Sequence, residues 1–393
     1  MKIFYVNATC GMGSTGNIVE EFATEYINRG HECKIFYGNG NSSNPHAVKM
    51  TGLASVKVHA LLSRFTGLQG YYSNCATNRL IKAVKTEKPD IVHLHNLHGN
   101  FINSFKFLKY LKENDIPTVI TLHDCNAFTG KCTHYTSAGC YRWQSGCGNC
   151  PRLKSDIPSY FFDRTGKMLK DKERLYQEFK RLGVIAVSEW IKTQAEKSIL
   201  KTANIKRVYN WVDTSVFTPN NSKNESFIVL GVSAKWKGGS SKYLDFVELA
   251  KSLPDTKFVL VGKREGNIKF PPNVVFIDYV SSALDMAKLY QSSGVYVHLS
   301  REDSYGKVIT EALACGTPVI VYDATACPEL VDKGCGYVVG VGDLSAVKEK
   351  ILEVKNTGKD FYFENCVKSA NKFEKGNIFD QTLEFYGDII KGK

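Results

Sequence analysis

Short apolar runs alternate with longer amphipathic stretches from the first residues onward. Runs 3–7, 33–37, 91–95, 118–122 and 183–188 each read as a buried strand, and helices are predicted over about 16–29 and from Trp190 onward. Buried strands separated by helices form a doubly wound parallel sheet, in which ligand-binding residues collect at the carboxyl ends of the strands. Residues 11–16, His95 with Asn96, and His123 with Asp124 each follow directly on such a strand, so they are expected on one rim. His93 and His95 are read as facing opposite sides of their strand, leaving only His95 to reach a ligand. A polar stretch without periodicity, 220–226, interrupts the alternation. The pattern then restarts with strands at 227–232, 258–262, 274–277 and 295–299 and a helix over 242–253. Two α/β domains follow, 1–219 and 227–372, joined by a linker at 220–226. A segment at 373–393 closes the chain, with an aromatic amphipathic helix ending at 390.

Residues 303–320, DSYGKVITEALACGTPVI, carry the densest chemistry. Asp303 and Glu311 stand eight residues apart around Gly306. A helix over 307–315 would leave free backbone N–H groups beside Gly306 for an anion or a hydroxyl. Gly316 suits a left-handed cap, Pro318 bars continuation, and 319–322 reads as a buried strand. Carboxylates accept hydrogen bonds from vicinal hydroxyls, so the unit suits a polyol. Taken alone, it also reads as an ordinary crossover with a surface helix.

Composition narrows the class. The chain has 393 residues and 43% apolar content, enough for two real cores and unlike a disordered protein. It enters its first strand without a signal-peptide series, and no apolar run reaches about 18 residues, so it reads as cytoplasmic. The net charge of +12 is concentrated in the first half: residues 1–218 hold 29 Lys and Arg against 17 Asp and Glu, and residues 219–393 hold 22 against 22. A basic first half fits an anionic membrane surface. Nucleic acid is the rival partner, and the absence of any recognisable nucleic-acid module or basic-aromatic repeat argues against it.

Residues 303–320 resemble the paired-acid and EAxACGTPVI signature of retaining glycosyltransferases of family 4, which adopt the GT-B fold: two Rossmann-like doubly wound parallel-sheet domains facing across a cleft. The resemblance extends along nearly the whole chain. Gly11-Met12-Gly13-Ser14-Thr15-Gly16 with Arg29-Gly30-His31-Glu32-Cys33 is similar to the opening of the branch that builds capsular and exopolysaccharides of the colanic-acid type, and Asn210-Trp211-Val212-Asp213 with Phe217-Thr218-Pro219 to the family's pattern before the interdomain linker.

The resemblance implies a UDP- or GDP-sugar donor, no catalytic metal, and an undecaprenyl-linked oligosaccharide or other saccharide acceptor at the inner face of the plasma membrane. It also implies residue roles. Lys237, before Gly238-Gly239, would meet the departing diphosphate, where a cation is needed. Val232 stands where the family has an arginine, leaving Lys235 or a rearranged loop to substitute. Glu311 would accept the ribose hydroxyls, and Asp303, with Ser304, Tyr305, Gly306 and Lys307, would hold the donor sugar. Asp303 replaces the commoner Glu, and Glu302 competes for its role. Gly13 and Gly16 would approach the donor and His123 would touch the sugar near the reacting carbon. His95, Asn96 and Asp124 fall to the acceptor side, with Asp124 either a base or a helix cap. Retention would need no protein nucleophile, because the leaving diphosphate helps deprotonate the acceptor. The reading from another class is a catalytically silent GT-B protein that binds sugar nucleotides or serves assembly.

Cys132, Cys140, Cys147 and Cys150 crowd one polar, glycine-rich loop, ending in a Cys-x-x-Cys knuckle. That spacing suits tetrahedral zinc in a structural role, with a disulfide pair or reduced thiols as alternatives.

Overall fold

A computed structural model describes residues 1–220 and 226–392; most of the expected linker, 221–225, lies outside the described residues. The chain forms two compact units, Met1–Val208 with Phe379–Lys393, and Tyr209–Ile378.

The first unit runs β1 (Lys2–Thr9), α1 (Gly13–Asn28), β2 (Glu32–Asn39), β3 (Ala47–Lys49), α2 (Leu53–Thr66), α3 (Asn74–Glu87), β4 (Ile91–Leu94), α4 (Ser104–Glu113), β5 (Thr118–Leu122), α5 (Thr165–Tyr176), β6 (Leu182–Ala186), α6 (Glu189–Glu196) and β7 (Asn204–Arg207). The strands pair in parallel in the order β3-β2-β1-β4-β5-β6-β7. Ile3, Phe4, Tyr5 and Val6 of β1 are wholly buried, as a strand covered by helices on both faces requires. Gly16 lets α1 lie close on β1: a Cβ there would sit 2.8 Å from Thr9 Oγ1. Residues 379–390 of the last helix complete this unit. Tyr26 donates its hydroxyl to the Phe379 carbonyl at 2.9 Å, and Lys206 pairs with Glu384 at 2.8 Å.

One helix is built inside out. Helix α2 buries His59 and Ser63 and exposes Leu53, Val58, Leu61, Leu62 and Phe65. His59 Nδ1 is bonded to Ser73 Oγ at 2.9 Å and its Nε2 accepts from the Gly70 N–H, so the inward face is held by polar contacts. The loop before α5 extends the apolar surface: the Tyr160 N–H donates to the Arg64 carbonyl, and the rings of Phe161 and Phe65 are 5.3 Å apart.

The second unit runs β8 (Ile228–Lys237), α7 (Ser241–Ser252), β9 (Lys257–Glu265), β10 (Val274–Ile277), α8 (Ala283–Gln291), β11 (Val295–His298), α9 (Lys307–Ala314), β12 (Val319–Tyr322), β13 (Gly336–Val339), α10 (Leu344–Thr357), α11 (Asp360–Ala370) and the start of α12 (Lys375–Ile390). Its parallel order is β10-β9-β8-β11-β12-β13. The direction of winding reverses between β8 and β11, where open α/β sheets form their ligand crevice. The unit begins earlier than the sequence pattern implied. Val212 bridges to Glu374, and buried Trp211 lies 5.4 Å under the Lys307 ammonium, so both belong to the second core.

Candidate active site

The reversal point of the second sheet assembles an acid–base pocket. After β11 the chain turns through Asp303 and Ser304 into Gly306, whose left-handed backbone (φ 91°) delivers it to the start of α9. Any side chain there would also meet Ile309, with a Cβ 2.9 Å from its Cδ1. After β8, helix α7 opens with a side-chain cap from Ser240 and carries Lys242 in its first turn. Asp303 and Lys242 are thus brought together by topology from positions about sixty residues apart.

His298 Nε2 is 3.2 Å from Asp303 Oδ2, and the Tyr305 N–H donates to Oδ1. Burial opposes ionisation of Asp303, but His298, the Lys242 charge and the Tyr305 N–H outweigh it and hold the carboxyl below the usual carboxylate range. Burial likewise lowers His298, so the imidazole is neutral, gives its Nε2 proton to Asp303 and accepts from Tyr296 at Nδ1, 2.9 Å away. Burial lowers the Lys242 ammonium to about 8, against the pull of Asp303 and Cys327. Lys242 donates to the Val232 carbonyl at 3.0 Å. Beside them the buried Ser304 hydroxyl has no partner, which leaves a donor and acceptor for a bound group. Glu311, one turn into α9, accepts a hydrogen bond from Tyr290 at 3.2 Å.

Ligand atoms of His298, Asp303 and Cys327 lie within 4.8 Å of one another. The Lys242 ammonium faces both Asp303 and Cys327 there, and burial pushes the Cys327 thiol up.

The second unit places the other expected lysines differently. Lys237 ends β8 with its ammonium 3.9 Å from Glu265, and Lys235 is 3.5 Å from the same carboxylate; both are largely exposed. The cation that faces Asp303 is Lys242, which sequence reasoning passed over as the first residue of a helix. Its signal was position: a lysine in the first turn after a Gly-Gly-Ser-Ser loop. His298 and Tyr290 were also missed, being hidden in apolar patterns.

In the first unit, His95, Asn96, His123 and Asp124 line one cavity of about 40 Å³ together with His98 and Lys172. His95 Nδ1 and His123 Nε2 are 2.8 Å apart, and buried His95 Nε2 has no partner. Burial lowers His123 to about 4, so it is a neutral donor or acceptor rather than a cation. Burial works against charge on both His98 and Asp124, yet their 2.9 Å pairing raises the first and lowers the second. Asp124 also accepts from the Asn126 N–H at 2.8 Å, as a cap would. The placement of His93 and His95 on opposite faces is wrong. Residues two apart on a strand share a face, and the two rings are 4.1 Å apart, with His93 closed off by Thr121 and Tyr386. Gly13 starts α1, exposed at φ 71°, and Gly16 is buried against β1.

Cys132, Cys140, Cys147 and Cys150 line a second small cavity in the same unit, all as free thiols.

Two doubly wound parallel units with an acid–base pocket at the reversal point make this a GT-B glycosyltransferase. Residues 15–216 match the family model described as Glycosyltransferase Family 4, and residues 214–373 match Glycosyl transferases group 1. The chain belongs to glycosyltransferase family 4. It is 23% identical to the putative colanic acid biosynthesis glycosyl transferase of Escherichia coli (strain K12), over 91% of this chain and 90% of that one. It is 24% identical to the N-acetyl-alpha-D-glucosaminyl L-malate synthase of Bacillus anthracis, over 98% and 97%. Among solved structures, sucrose-phosphate synthase from Thermosynechococcus elongatus superposes with TM-score 0.70 at 14% identity, covering 100% of both chains. Anabaena HepE in complex with UDP-glucose superposes with TM-score 0.64 at 17% identity, covering 99% of this chain and 100% of that one.

Proposed function

We propose that this enzyme is a retaining hexosyltransferase that moves a sugar from a nucleoside-diphosphate donor onto a lipid-linked saccharide at a membrane surface. The observation that carries the reading is the second unit's pocket, where Lys242, Asp303 and the unpartnered Ser304 hydroxyl converge at the sheet reversal with Glu311 one helical turn beyond. Lys242 supplies a cation for the diphosphate. Asp303, Ser304 and the N–H groups entering α9 hold the sugar hydroxyls and phosphate oxygens, and Glu311 takes the ribose. The solved complex of HepE with UDP-glucose supports a uridine nucleotide over a guanosine one.

In the transfer, the bond from the anomeric carbon to the diphosphate breaks and the acceptor oxygen bonds the same face, its proton passing to the departing phosphate. The chain then has to bind, orient and stabilise charge, with no covalent step of its own. Within the first unit, neutral His123 can donate or accept a hydrogen bond, and the His98–Asp124 pair suits orientation of an acceptor hydroxyl.

A lipid-linked acceptor is supported by the inverted face of α2. Its exposed Val58, Leu61, Leu62 and Phe65 share one side, and Phe65 packs against exposed Phe161, next to exposed Phe162, a grouping of apolar side chains that suits a surface partner. Lys57 and Arg64 flank it on α2, which contains no acidic residue, and Arg164 lies over the Phe162 ring. An apolar stripe with basic neighbours fits the boundary of an anionic bilayer.

Incubation with a panel of UDP- and GDP-sugars tests the reaction. Nucleoside diphosphate release is expected from the wild type, with the anomeric configuration of the donor kept in the product by proton NMR coupling. Glu311→Ala should lower turnover by roughly 100-fold or more with an unchanged circular dichroism spectrum. Full activity in that variant would refute the site, and no release from any donor would favour the silent binding protein.

A further inference from the structure

We propose that the loop between β5 and α5 holds one structural zinc ion through the thiolates of Cys132, Cys140, Cys147 and Cys150. The loop has little regular structure to hold it. Between Leu122 and Thr165 only Thr136–Ala138 and Arg142–Gln144 form short helical turns. So long a segment needs another source of order.

Four thiols around one small cavity provide it. The Cys132 and Cys150 thiols interact, and Cys147 lies within electrostatic reach of both Cys140 and Cys150. Backbone N–H groups are aimed at two of the sulfurs: that of Gly130 at Cys147 and that of Arg152 at Cys150. Such donors stabilise thiolates around a metal, and the second comes two residues after the Cys-x-x-Cys pair. Gly130 and Gly166 bring backbone against Cys147; a Cβ on Gly166 would stand 2.6 Å from the Cys147 carbonyl oxygen.

Charge points the same way. Two lysine ammonium groups sit at this cluster. Lys131, 3% exposed, donates to the carbonyls of Arg152, Leu153, Ser155 and Ile157 at 2.7 to 3.1 Å and faces Cys132 and Cys150. Lys172 donates to the Thr129 carbonyl at 2.9 Å and faces Cys132 and Cys147. Buried cations need an anionic counterpart. Four thiolates around a divalent ion carry a net double negative charge, which these two ammonium groups suit; Asp156 and Asp163 also face Lys131, and Asp124 also faces Lys172.

Among the described residues no three of the four sulfurs lie within 4.8 Å of one another. A zinc–sulfur bond of about 2.3 Å sets sulfurs roughly 3.8 Å apart, so the ion would draw the loop inward. Contraction would tighten the wall of the His123–Asp124 cavity, because the Cys125 N–H donates to the Thr133 carbonyl and the Asn126 amide to the Lys131 carbonyl.

The test is metal content of the full chain purified under reducing conditions without chelator. About one zinc per chain is expected, released stoichiometrically by a mercurial, and cobalt replacement should give the absorption of a tetrahedral tetrathiolate site. Cys147→Ser should lose most of the metal, while Cys75→Ser, at an exposed position on α3, should retain it. Should Cys147→Ser fail to fold, the wild-type cobalt spectrum decides. Wild-type protein without stoichiometric zinc and unable to take up cobalt, or a Cys132–Cys150 disulfide in its peptide map, would overturn the proposal.

Discussion

Lys242 is the residue on which the chemistry turns. Its ammonium is held at about 8 by burial, in the range where an enzyme works, and it faces the Asp303 carboxylate. A neutral lysine cannot attract phosphate, so kcat/KM should fall as pH rises through about 8, and Lys242→Arg should move that limb upward. Lys242→Met should lower kcat/KM by about 100-fold, more than Lys237→Met, whose side chain is exposed and paired with Glu265. The same variant should melt higher without donor. A lysine whose folded pKa is depressed holds fewer protons than the unfolded chain between about 8 and its ordinary value, so its charge opposes folding below that window and the penalty fades as pH rises through it. Steady-state kinetics against pH and thermal melts check both signs. Equal losses at Lys237 and Lys242 would show that the diphosphate spans both. At this scale the sequence was legible where residues share one local segment. Asp303, Ser304, Gly306 and Glu311 lie on one turn and one helix, so one motif, read with the family resemblance, named them together. Lys242 and His298 reach the same pocket only through sheet order, which spacing does not encode.

Among the elements, α2 departs furthest from the rule that helices bury apolar stripes. Its buried side is His59 and Ser63 and its outer side leucine, valine and phenylalanine. If that face seats in a bilayer boundary, Leu61→Asp with Phe65→Asp should abolish co-sedimentation with vesicles rich in phosphatidylglycerol while leaving nucleoside diphosphate release with a soluble donor unchanged. Unchanged vesicle binding would place the contact elsewhere, and loss of binding only in high salt would assign it to Lys57, Arg64 and Arg164 rather than to the apolar face. The main strands were readable from their apolar runs, and α9 from its glycine caps. The face that α2 presents was not. An amphipathic pattern fixes which residues share a side, while tertiary contacts such as His59 with Ser73 decide which side turns inward.

On the scale of the molecule, one architecture is used twice. Each unit is a parallel sheet with a reversal point, β1 and β4 in the first and β8 and β11 in the second, and each gathers its polar residues at that rim. The first unit carries buried neutral histidines and the basic, apolar α2 surface; the second carries the acid–base pocket. Repetition of strand and helix periods made both sheets legible, and the charge imbalance between the halves was visible by counting. The division at Val208 and Tyr209 was not, because Trp211 and Val212 join the second core through Lys307 and Glu374, contacts made across long sequence separations. The most direct measurement is a crystal structure with an intact UDP-sugar bound. The diphosphate is expected within hydrogen-bond reach of the Lys242 ammonium, the ribose on Glu311 and the sugar hydroxyls on Asp303 and Ser304. A nucleotide bound away from these four side chains would contradict this placement.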